Sequence, residues 1–99
     1  MANSFAFDEQ LRLVLTAAQC RAGRALVGIK RAQLADAAGV AARTIGDFEA
    51  GARVPRVETL LALRIGLEDL GIEFTQQSNG GRGVRIGSPH SDQLAAFMM

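Results

Sequence analysis

Tryptophan and tyrosine are absent from this chain, and histidine and cysteine occur once each. A single thiol cannot close an internal disulfide, so no cross-linked scaffold is expected. One His and one Cys do not make a metal cluster or a nucleophile–base set, and no phosphate loop stands near the glycines. The inventory therefore argues against an enzyme, and no cofactor or metal is expected. His90 sits beside Pro89 with no base, nucleophile or ligand partner at useful spacing. No run of about 18 apolar residues occurs, which leaves no helical membrane span. The opening MANSFAFDEQ has no basic stretch followed by an apolar run, so no secretory leader is expected and the cytoplasm is the expected location.

What is present is a chain of 99 residues, 48% hydrophobic and 21% charged, the composition of one small globular domain. Its apolar share leans on alanine, leucine and valine, which favours a helical core. The net charge of +1 conceals a division. Residues 21–56 carry seven cations (Arg21, Arg24, Lys30, Arg31, Arg43, Arg53 and Arg56) against Asp36, Asp47 and Glu49, a net +4 between flanks of −1 and −2. Such a basic centre suits a polyanion, or is ordinary solvated charge.

The chain is organised around residues 32–51, AQLADAAGVAARTIGDFEAG, which read as two short helices broken at Gly39. Leu34, Ala35 and Ala38 share a face of the first helix. Ile45, Phe48 and Glu49 follow at helical spacing on the second. Val40 plugs the corner, and the small Ala35 offers a place for two backbones to cross. Two helices packed steeply through a glycine-containing turn make a helix-turn-helix. Ala42, Arg43, Gly46 and Asp47 would then point away from the core.

Around this unit the helix signals are local. Thr16 and Gln19 match a capping box, opening a helix that stops at Gly28, with Cys20, Gly23 and Val27 on one face and Leu26 at its edge. Cys20 reads as a small buried hydrophobe. A second helix is expected over 31–38, a third over 42–50 ending at Gly51, and a fourth over 57–70 after Pro55, closing at Gly71. Lys30 and Arg31 at the head of the second helix oppose its dipole, a conflict that a bound anion would remove. Leu60, Leu61, Leu63, Ile65, Leu67 and Leu70 spread round more than one face of the fourth, as in a subunit interface or a centrally buried helix. From Ile72 the pattern alternates. Ile72, Phe74, Val84 and Ile86 predict one face of a hairpin, with QQSNGGRG between the strands. A short helix is also possible over 8–15, and another turn from Ser91.

RxxRALVG at 21–28, QLADAAGV at 33–40, RTIGDFEAG at 43–51 and VPRVETLLALRIGLEDLGIEF at 54–74 together resemble the phage-repressor-like (Xre-type) helix-turn-helix family of bacterial and phage transcription regulators. The resemblance implies a mainly α, lambda-repressor-like helix-turn-helix bundle of four to five helices with a C-terminal β-hairpin. It divides the chain into a DNA-binding domain, 1–71, and a hairpin and tail, 72–99, that serve dimerisation. It implies a structural ion pair between Arg24 and Glu49, and double-stranded DNA as partner, read by a homodimer on a palindrome. The chain departs from the family at Lys30 and Ala41, where Ser or Thr often caps, a loss of ~1 kcal/mol each. It departs also at Arg31, where a glutamine often stands. Gly46 inside the third helix costs ~1 kcal/mol relative to alanine, and makes room either for DNA or for a neighbouring helix.

On this reading Lys30, Arg31, Thr44, Arg53 and Arg56 hold phosphates, and Ala42, Arg43, Gly46 and Asp47 read bases. Asp47 either contacts a base or only orients Arg43. Leu63, Leu67, Leu70, Ile72, Phe74, Val84 and Ile86 are the dimer candidates. The alternative is an antitoxin-like or adaptor protein that binds a protein partner through the hairpin or tail as well as DNA.

Overall fold

Thr16 starts the first helix with its own side chain. In the computed structural model of the chain, which describes residues 14–87, the Thr16 hydroxyl accepts from the Gln19 N–H. Gln19 Oε1 accepts in return from the Thr16 N–H, both at 3.0 Å. Helix α1 runs Ala17–Val27 and ends at Gly28, whose φ of 72° is freely open to a residue without a Cβ. Helix α2 spans Arg31–Ala38, and Gly39, with φ 68°, turns the chain into α3, Ala42–Glu49. Beyond Pro55, α4 spans Val57–Asp69. Strands β1, Ile72–Gln76, and β2, Arg82–Ile86, pair antiparallel to end the described chain. The mainly helical bundle with a C-terminal hairpin is thus the fold the chain adopts. The helices expected over 8–15 and from Ser91, and His90, lie outside the described residues, except that Val14 is in a turn and Leu15 in a bend.

One core joins all six elements' surroundings. Leu34, Ile45, Leu60, Leu63 and Leu67 are fully buried, with Leu15, Cys20, Ala35, Phe48 and Ile72 packed among them. Helix α2 lies against both α3 and α4. A close approach of α2 and α4 lies at Ala38 and Gly66, where an added Cβ on Gly66 would come within 3.3 Å of the Ala38 Cβ. Gly23 plays the same part under Leu67, at 3.3 Å.

Helix α4 is buried centrally on one stripe, which corrects three of the expected interface residues. Leu63, Leu67 and Ile72 are filled-in core, because α1, α2 and β1 all close over that side of α4. Leu61, Ile65 and Leu70 face outward, as does Leu26 on α1. Ile86 pairs with Ile72 across the ladder and so shares its face, yet it is exposed, while Phe74 and Val84 pack on the core's edge. The hairpin turn is tighter than the expected connection, since Gln76 and Arg82 are already paired. Gln19 ties it to α1, its Nε2 donating to the Gly83 carbonyl at 3.1 Å. Arg64 braces the other side, donating to the Val14 carbonyl at 2.8 Å and stacking 4.7 Å over the Phe74 ring. Among the described residues, no helix is long and apolar enough to cross a membrane.

Candidate nucleic-acid interface

Glu49 closes α3 with its side chain entirely inside the protein. A lone carboxylate there would be driven to neutralise. Arg24 of α1 answers it with two hydrogen bonds, Nε to Oε2 at 2.8 Å and Nη2 to Oε1 at 2.6 Å. Its Nη1 donates to the Ile29 carbonyl at 3.1 Å. Arg21 adds a hydrogen bond to the Glu49 backbone carbonyl. Arg31 of α2 also reaches the carboxylate, with Nε 3.2 Å from Oε1, a contact the sequence reading did not foresee. One side chain therefore joins α1, α2 and α3. Burial by itself would raise the Glu49 pKa, but hydrogen bonds from Arg24, Cys20 and Arg31 outweigh it and hold the carboxyl below its usual value. Burial pushes the Cys20 thiol up, and the hydrogen bond to Glu49 adds to the rise. Cys20 stays protonated at neutral pH and has no thiolate chemistry to offer.

With Ile45, Phe48 and Glu49 turned inward, the outer face of α3 carries Ala42 and Arg43, with Gly46 and Asp47 half-covered beside them. The Arg43 side chain is 92% exposed, and its Nε lies 4.0 Å from Asp47 Oδ2 one turn on. An ion pair so long and so wet contributes little, and leaves the guanidinium available to another acceptor. Gly46 has a neighbouring helix over it. The Arg31 side chain lies over it, with Nη1 3.8 Å and Cδ 4.0 Å from where a Cβ would stand. Its neighbour is a side chain from α2, at a distance that is ordinary contact for a Cβ. The sequence signal for this contact was an interior helix glycine with no local explanation.

Helices α2, α3 and α4 all begin without a side-chain acceptor at the cap, where Lys30, Ala41 and Arg56 stand. At α2 only half of a capping box forms, Gln33 Oε1 accepting from the Lys30 N–H at 2.8 Å. A lysine ammonium has no lone pair to return. Free N–H groups and basic side chains at three helix starts favour an anion. Beside the start of α4, Thr44 and Asp47 line a shallow hollow of about 310 Å³ with Arg53, Val54, Pro55, Arg56 and Thr59. The backbone of Arg53 is fixed there, because the Ala52 and Arg53 N–H groups donate to the Asp47 carbonyl at 2.9 and 3.3 Å. The structure thus gathers Thr44, Arg53 and Arg56 at one place beside α3, and sets Lys30 and Arg31 at the head of α2.

Among the described residues no group of His, Cys, Asp and Glu could hold a metal ion. Compared with known protein families, residues 21–68 match the helix-turn-helix family, a span that runs from α1 to the last turn of α4. No curated protein matches the chain.

Proposed function

The chain belongs, through residues 21–68, to the helix-turn-helix family of the Xre, Cro and C1 type, a non-catalytic family that binds specific DNA sequences and regulates transcription, and on that premise we propose that it acts as a homodimeric repressor or autoregulator on a palindromic operator. The observation that supports this best is the fully exposed Arg43 on α3, framed by uncapped, basic helix starts. Helix α3 lies in the major groove. Arg43 takes guanine O6 and N7 with its fork, Ala42 meets a thymine methyl, and Asp47 accepts from cytosine N4 or orients Arg43. Lys30, Thr44, Arg53 and Arg56 hold phosphates and fix the register.

One α3 reads few bases, so two copies are needed for a specific site. The outward-facing Leu70 and Ile86, with Phe74 and Val84 at the core's edge, are the residues still available for a dimer formed through the hairpin. Selection of bound sequences from a random duplex pool tests the proposal. A half-site motif repeated as a palindrome, bound by two chains, is the expected result. No enrichment at low salt would overturn it.

A further inference from the structure

We propose that Glu49 is a positioning residue for DNA binding, holding the Arg31 guanidinium across Gly46 as a preset clamp for a backbone phosphate. The inference rests on the DNA-binding reading above and goes beyond it by naming what fixes this cation.

Arg31 has five N–H donors in a planar fork, and Glu49 engages only Nε. Among the described residues, Nη1 and Nη2 donate to no acceptor, and the side chain is 53% exposed. The charges are also incomplete. Glu49 faces both Arg24 and Arg31, and Arg24 is already satisfied by Glu49 and the Ile29 carbonyl. The surplus positive charge therefore resides on Arg31, at a helix start where it opposes the dipole. A phosphate oxygen pair accepting from the two outer nitrogens would neutralise both conflicts at once. The pose is held at two points, by the Nε bond to Glu49 and by the stem lying over Gly46. Pre-ordering a long side chain removes part of the entropy lost on binding. Lysine cannot be held this way, because it has no Nε fork.

The test is fluorescence anisotropy with a short random-sequence duplex over a salt series, using wild type, Arg31→Ala and Arg31→Lys, with a thermal melt of each. Arg31→Ala should weaken binding about tenfold and lower the salt slope by about one per bound protomer. Arg31→Lys should keep the slope, since the charge remains, but bind about fivefold more weakly than wild type because the anchor to Glu49 is lost. Arg31→Lys binding as tightly as wild type would overturn the positioning role while leaving DNA binding intact. An unchanged slope in Arg31→Ala would overturn the phosphate contact and reduce Arg31 to a fold-holding cation visible only in the melt. Wild type showing no salt-dependent binding would overturn this inference together with the DNA reading it rests on.

Discussion

Glu49 and Gly46 lie three residues apart on α3, and their substitutions should act in opposite directions. Glu49→Ala leaves Arg24 facing a hole where its partner was, and should lower stability by ~3–5 kcal/mol in a urea titration. The same carboxylate gives stability a pH dependence of known sign. Its folded pKa lies below the unfolded value of about 4.5, so its contribution is complete above that value and is lost as the pH falls through the folded one. Stability measured downward from neutral pH should stay level to about pH 5 and then fall, and Glu49→Gln should make that fall shallower. Gly46→Ala places a Cβ 3.8 Å from Arg31 Nη1, an ordinary contact. It should therefore recover up to ~1 kcal/mol of helix propensity in a thermal melt. The glycine tolerates a methyl, but a long side chain would take the place where Arg31 rests.

Among the elements, α1 and the hairpin depend on one residue. Gln19 caps α1 through its oxygen and holds β2 through its nitrogen. Gln19→Glu keeps the acceptor for the Thr16 N–H but turns a carboxylate toward the Gly83 carbonyl. The loss should be ~1–3 kcal/mol, and amide exchange should rise in residues 82–86 before it rises in α2 or α3. The starts and ends of the helices were legible in sequence because each is set by residues within a few positions: Thr16 with Gln19, Gly28, Gly39, Pro55. The second task of Gln19 was not legible, since its partner is 64 residues away and is a backbone carbonyl, which no side-chain pattern marks. The contact of Arg31 with Glu49 was hidden for a similar reason: a basic residue at a helix start shows no protein partner until another helix is folded against it.

At the scale of the whole molecule, the proposed DNA-binding mode separates two kinds of cation. Arg43→Ala should cost roughly 1–3 kcal/mol and relax base preference at one position per half-site. Arg53→Ala should instead weaken binding to matched and scrambled duplexes alike and flatten the salt dependence. Anisotropy with both duplexes checks each, and equal losses on the two for Arg43→Ala would remove it from base reading. Local sequence determined the element order, the caps and the inward set Ile45, Phe48 and Glu49 on α3, because a period of 3.6 residues and a left-handed glycine act at short range. It also carried the family motifs that span 21–68. Tertiary structure alone decided which leucines of α4 are core and which face water, because a helix apolar on several sides has no inside until its neighbours are placed. It alone also decided that the buried carboxylate, expected from the sequence to pair with Arg24, takes Arg31 as well, because a charge inside the protein must be met by whichever donors the fold brings within reach.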